Sequence, residues 1–116
     1  MVAPKIKMKA ILHKEFGGPE VLGVTNDVEI PQIEKHEVLI QVHAAGINRP
    51  DILQRSGGYP PPPGASEILG LEVSGEIVDV GEDVNKNLLN TKVCALVPGG
   101  GYACLLYTSP SPRDGW

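Results

Sequence analysis

"EVLIQVHAAG", residues 37–46, places Val38, Ile40, Val42 and Ala44 on one parity and Leu39, Gln41, His43 and Ala45 on the other. Side chains of an extended chain alternate between two faces, so this pattern is that of a half-buried β-strand. The chain then turns at once into "INRPDILQRSGG" (47–58). Here Asn48 precedes Pro50 at a first-turn position, Asp51 lies in the first turn, Ile52 and Leu53 form an apolar pair, and Gly57 can take the left-handed conformation that ends a helix. That helix has barely two turns, and no other segment has helical periodicity. The fold is therefore expected to be mainly β.

Further strands follow on both sides. "VLGVTNDVEIP" (21–31) carries Leu22, Val24, Val28 and Ile30 on one parity, with Asn26 as the exception and Pro31 as the stop. In "EVSGEIVDVG" (72–81), Val73 and Ile77 share one parity and Val78 and Val80 the other, and Gly75 suits a bulge or a close backbone approach. Met8–His13 and Val93–Val97 complete the set. With 14 Gly and 11 Pro among 116 residues, turns are frequent. Short strands, one brief helix and no strand-helix-strand rhythm describe a small antiparallel barrel or sandwich.

A chain of 116 residues is one domain at most. The net charge of -4 leaves no clustered Lys and Arg for phosphate, which argues against nucleic acid as a partner. No apolar run reaches the length of a membrane helix, so no membrane is expected either, and two cysteines without framework spacing suit a cytoplasmic location. His13, His36, His43, Cys94 and Cys104 lack the local spacing of a zinc site, so no metal is expected. "GGGYAC" (99–104) departs from the Gly-x-Gly-x-x-Gly dinucleotide turn, and Gly-x-Ser-x-Gly is absent.

"GGYPPPPG" (57–64) isolates one aromatic against four prolines. A proline keeps the preceding residue extended, so Tyr59 is expected on the edge of a stiff polyproline II rod running through Pro60–Pro63. A phenol held there can stack on a flat ligand, and Asn48 can hydrogen-bond the same ligand. Simpler roles are packing on the prolines for Tyr59 and helix capping for Asn48. The prolines also satisfy a Pro-x-x-Pro pattern for an SH3-type groove, although the nearest basic residue is Arg55 and the acidic Glu67 follows.

Three ordered segments, "KEFGGPEVL" (14–22), "AGINRPDILQRSGGYPPPPGASEILGLEVSG" (45–75) and "VPGGGYA" (97–103), resemble the N-terminal part of quinone oxidoreductases of the medium-chain dehydrogenase/reductase superfamily. The closest likeness is to the tumour-suppressor-induced, zeta-crystallin-related members. The resemblance runs from Met8 to Ala103, with residues 1–7 as an extension. It implies a GroES-like, partly open barrel, here incomplete and without the Rossmann domain that binds NADPH. It implies reduction of quinones or conjugated carbonyls by a homodimeric parent, and it carries catalytic and cofactor-facing roles onto Tyr59 and Asn48. Gly70 and Glu72 fall at a turn near the cleft floor, and Arg49 and Asp51 at the charged helix end. Asn48 and Leu71 stand where zinc-dependent members have cysteine and histidine, so the implied chemistry is zinc-independent. Relatives serving as lens crystallins make a structural role the other alternative.

From Cys104 the likeness ends. Cys104 to Asp114 reads as the translation of a transposase-based sequencing adaptor, so residues 104–116 are expected to be a non-native tail. Without the late strands and the nucleotide domain, the chain alone is expected to be inactive, with unpaired strand edges.

Overall fold

The computed structural model describes residues 7–108. It contains six strands and one α-helix, with two single-turn 3-10 segments at Pro19–Val21 and Lys86–Leu88. Strand β1 (Lys7–His13) pairs antiparallel with β2 (Leu22–Glu29). Strands β3 (Val38–Ala45), β4 (Glu72–Val80), β5 (Lys92–Leu96) and β6 (Leu105–Thr108) form an antiparallel sheet in the order β5-β4-β3-β6. The helix α1 (Arg49–Ser56) leaves the end of β3.

The strand that decides the fold behaves as its alternation requires. Val38 and Ile40 are sealed from solvent and Val42 is half-buried, against Val73, Ile77, Val93 and Leu106 from the neighbouring strands. Each such side chain, taken fully out of water, contributes about 1.5–3 kcal/mol. The parity switch in β4 is a bulge: Leu39 lies opposite Asp79 and Ile40 opposite Ile77, so Val78 is the extra residue. Gly75 serves a close approach, because a Cβ there would run into the carbonyl oxygen of Gln41.

The β2 parity needs a correction. Ala10 faces Thr25 while Met8 faces Val28, so Asn26 and Asp27 together oppose Lys9. This bulge sits at the exception in the alternation, and it moves Val28 to the opposite face from Leu22 and Val24. Val28 packs with Met8, Ala10 and Ala103, whereas Val24 is exposed.

Residues 102–104 stitch the two sheets together. Ile11 N–H donates to the Tyr102 carbonyl at 2.9 Å, Cys104 N–H to Lys9 at 3.0 Å, and Val42 N–H to Cys104 at 2.8 Å. Ala10 and Ala103 form an isolated bridge. The two sheets are thus joined along one side only, and no pairing between β2 and β5 closes them into a barrel among the described residues. The stretch after Ala103 is part of this sheet as far as it is described. β6 pairs with β3 from Leu105 opposite Gln41 to Thr108 opposite Val38, and Leu106 is buried in the core. Unpaired strand edges were expected, and over that span the edge of β3 is instead covered by β6. Residues 109–116 of the expected tail, and most of the 1–7 extension, lie outside the described residues.

Candidate functional site

Helix α1 organises the chemistry because both of its ends are fixed by named bonds. At its start Asn48 is in the extended N-cap conformation and Pro50 is the second helical residue. Asp51 Oδ2 accepts the Asn48 N–H at 3.0 Å. The Asn48 side-chain amide turns the other way and donates to Glu72 Oε1 at 3.1 Å. At its end Gly57, with φ 95°, donates to the Gln54 carbonyl and Gly58 donates to Leu53, the paired bonds of a Schellman terminus.

The apolar pair of the helix is not what holds it down. Ile52 and Leu53 are exposed, and the residues α1 buries are Asp51, 2% exposed, and Gln54, 4% exposed. Arg49 is exposed at the first helical position, and Asp51 carries the helix-end electrostatics. Its Oδ2 also accepts the Tyr102 phenolic O–H at 2.7 Å, a short charge-assisted bond, and the positive end of the helix lies beneath it. Oδ1 is buried without a hydrogen-bond partner. Burial of the Tyr102 phenol, then its bond to Asp51, then the nearby negative charge push its pKa well above the ordinary value of 10.

Tyr102 was not visible as a partner of Asp51 in the sequence. The signal was the glycine run before it: Gly70 and Gly101 cross so closely that a Cβ at Gly70 would lie 2.7 Å from the Gly101 Cα. Gly101 N–H donates to Gly70 and Tyr102 N–H to Leu69. The glycines that fail as a dinucleotide turn work here as a backbone crossing that delivers Tyr102 to the helix.

Two clefts open on either flank of α1. The first, of about 630 Å³, is lined by Ile11, Leu22 and Val24 of the β1–β2 ribbon, by Asp51 and Ile52, and by Tyr102. The second, of about 590 Å³, is lined by Leu12, Phe16, Gln54, Tyr59, Pro60 and Ile68, among others. Tyr59 lies in the second cleft, 38% exposed. Asn48 is half-buried at the opposite end of the helix and lines neither, so the two singled-out residues do not share one cavity. An eight-residue helix, roughly 12 Å long, separates their segments.

The proline run ends in a reversal: Ala65 N–H donates to the Pro62 carbonyl and Gly64 has φ 82°, a type II turn in which Pro63, at the first central position, keeps an extended backbone and Gly64 turns the chain.

His13, His36, His43, Cys94 and Cys104 do not converge, and no group of three or more His, Cys, Asp and Glu gathers among the described residues. His43 is exposed beside Lys92 and Cys94 at a shallow depression. Where Asn48 meets Glu72, the donors are an amide already bonded to the carboxylate, and the neighbouring Leu71 offers none. That set does not fit a catalytic zinc. Nor does α1 offer a phosphate site, since the Asp51 carboxylate already occupies its N-terminus. No helix among the described residues is long and apolar enough to cross a membrane.

With this geometry in view, residues 34–110 match the alcohol dehydrogenase GroES-like domain. The chain belongs to that family. The GroES-like domain is 42% identical over 97 residues to the quinone oxidoreductase of Mus musculus, covering 83% of this chain and 29% of that protein. It is 44% identical over 97 residues to that of Lama guanicoe, again 83% of this chain and 29% of the other. Among solved structures it is similar to the quinone oxidoreductase from Coxiella burnetii, with a TM-score of 0.75, 32% identity, and coverage of 90% of this chain and 35% of that one. It is also similar to the quinone oxidoreductase of Pseudomonas syringae pv. Tomato DC3000, with a TM-score of 0.77, 31% identity, and coverage of 88% and 31%. The chain thus spans about a third or less of the length of these relatives.

Proposed function

We propose that this GroES-like domain forms the acceptor-side wall of an NADPH-dependent reductase that acts on quinones or related conjugated carbonyls without zinc. The identity to proteins named quinone oxidoreductase supports the substrate class. The observation that carries the zinc-free chemistry is the Asn48–Glu72 pair next to Leu71, a donor set suited to hydrogen bonding and not to a Lewis acid. Without a metal, the carbonyl must be polarised by oriented donors in a site with little water. Asn48 and Tyr59 are the candidates for contact with acceptor and nicotinamide, one amide and one phenol set at the two ends of α1. NADPH, when bound, supplies the reducing equivalents, and its pyrophosphate is held by another part of the protein, since the sequence lacks the glycine-rich turn and, among the described residues, the N-terminus of α1 is taken by Asp51. The 116-residue chain alone is accordingly inactive.

The test is steady-state reduction of 9,10-phenanthrenequinone by a longer protein carrying this segment, assayed through NADPH absorbance with and without a zinc chelator. Activity insensitive to the chelator, with kcat/KM lowered in Tyr59→Phe and Asn48→Ala, is the expected result. Unchanged kinetics in both variants would return these residues to packing and capping. NADPH oxidation by the isolated 116-residue chain would refute its inactivity.

A further inference from the structure

The first cleft holds apolar surface that the packed sheet leaves uncovered. Val24 is 67% exposed, Ile47 79% and Ile52 38%, and together with Ile11 and Leu22 they form its walls. Its volume of about 630 Å³ lies within the range of small-molecule sites, roughly 300–1,000 Å³. Apart from the Tyr102 ring these walls are aliphatic, so they offer little to stack on and suit a flexible chain better than a flat ring.

The border of the cleft is cationic, with Lys9 and Arg55 both in its lining. Lys7, two residues earlier on β1, stands 3.6 Å from Asp27 and 4.0 Å from Glu29, whereas Lys9 is exposed and has no ion-pair partner among the described residues. Arg55 is half-buried and held by a clasp: Gly17 N–H donates to its carbonyl at 3.0 Å, and its Nε donates back to the Gly17 carbonyl at 3.1 Å. The clasp fixes the guanidinium without neutralising it, because no carboxylate among the described residues pairs with it. The one acidic group of the lining is Asp51, which is buried and engaged through Oδ2 with Asn48 and Tyr102. Two unpaired cations toward solvent and a single anion on the floor favour a negative group at the mouth and repel one from the depth. Apolar surface bordered in this way is the mark of an interaction site.

We propose that this cleft binds a single-chain amphiphile with an anionic head, of the medium-chain carboxylate class. Its alkyl chain lies along Ile11, Val24 and Ile52, and its carboxylate stays at the mouth with Lys9 and Arg55. The site is independent of the acceptor reading given above, since neither Asn48 nor Tyr59 lines this cleft.

The probe is decanoate, titrated below its micelle concentration into the 116-residue chain by calorimetry and backbone amide shift mapping, with octanoate and 1-decanol as counterparts. Shifts are expected at Ile11, Val24, Ile47 and Ile52. Decanoate should bind about tenfold tighter than octanoate, because each methylene taken out of water is worth a factor of roughly three to four. It should also bind tighter than 1-decanol, and added salt should narrow that gap. Lys9→Glu should weaken decanoate about threefold to tenfold and leave 1-decanol unchanged. Val24→Glu, at an exposed position that the fold does not need, should weaken both by placing a charge on the chain-bearing wall. Equal affinity for decanoate and 1-decanol, decanoate binding insensitive to Lys9→Glu, shifts confined to Phe16, Gln54 and Tyr59 in the second cleft, or no binding would overturn the proposal. Quinone reduction by a longer protein depends on other residues, so its success or failure leaves this site as these titrations find it.

Discussion

The four-stranded sheet and the flanks of α1 are built from the same kinds of apolar residue and put them to different use. In the sheet Val38, Ile40 and Ile77 are sealed, and the strand faces close on each other. Around α1 the polar residues Asp51 and Gln54 are buried while Ile52 and Phe16 face the two clefts and Leu53 is exposed. One region uses apolar surface to hold itself together. The other holds itself together with directed bonds, from Asp51, Arg55 and the helix caps, and keeps its apolar surface available. Rigid polar anchoring with exposed apolar walls is the arrangement of a binding surface.

The largest effect that can break this contrast is in the sheet. Ile77→Ala should lower the unfolding free energy by about 2–5 kcal/mol in urea denaturation, because the cavity it leaves is enclosed on all sides by β3, β4 and β5 residues. A loss under 1 kcal/mol would mean that the sheet relaxes around the gap and is not the packed half of the molecule.

How well each half could be read follows from the same difference. Alternation reports burial, so β3 was legible from Val38 and Ile40, and even the Val78 bulge showed itself as a parity switch. In β2 the bulge was marked by Asn26, but parity alone could not say that Val28 and Val24 end on opposite faces. The ends of α1 were legible too, from Asn48, Asp51 and Gly57, since caps are local chemistry. What its flanks bury was not. The Asp51–Tyr102 bond joins residues 51 positions apart, and the clasp of Arg55 on Gly17 spans 38. No local pattern records either pairing. The roles of Tyr59 and Asn48 rest on resemblance and await the kinetic tests above.

A middle-sized effect belongs to the polar anchor. Tyr102→Phe removes the O–H from Asp51 Oδ2 and leaves a buried carboxylate with one neighbour fewer, which should cost about 1–3 kcal/mol. The sign of its pH dependence follows from the raised phenol. Below about pH 10 the phenol is protonated in both folded and unfolded chains, and the full contribution is present. As the pH rises beyond that, the unfolded chain ionises Tyr102 while the folded chain still holds its proton, so stability falls. Denaturation midpoints measured between pH 8 and 11 should drop more steeply for the parent sequence than for Tyr102→Phe. Absorbance titration should show one of the three tyrosines ionising after the others. Parallel pH curves for the two proteins would show that Asp51 and Tyr102 are not coupled, and α1 would lose its polar anchor.

The smallest effect sharpens the comparison most, because it repeats the first substitution in the other region. Ile52→Ala removes the same atoms as Ile77→Ala, but from a side chain already open to the first cleft, so little surface returns to water. Alanine is also the better helix former, by a few tenths of a kcal/mol, and no enclosed cavity is created. The two contributions oppose each other, and the net change should lie within about 0.5 kcal/mol of zero. If Ile52→Ala instead approached the cost of Ile77→Ala, the first cleft would have to be closed in solution, with Ile52 packed as core. Asp51, whose Oδ1 is already buried without a partner, would then lie deeper in an apolar interior at a further cost.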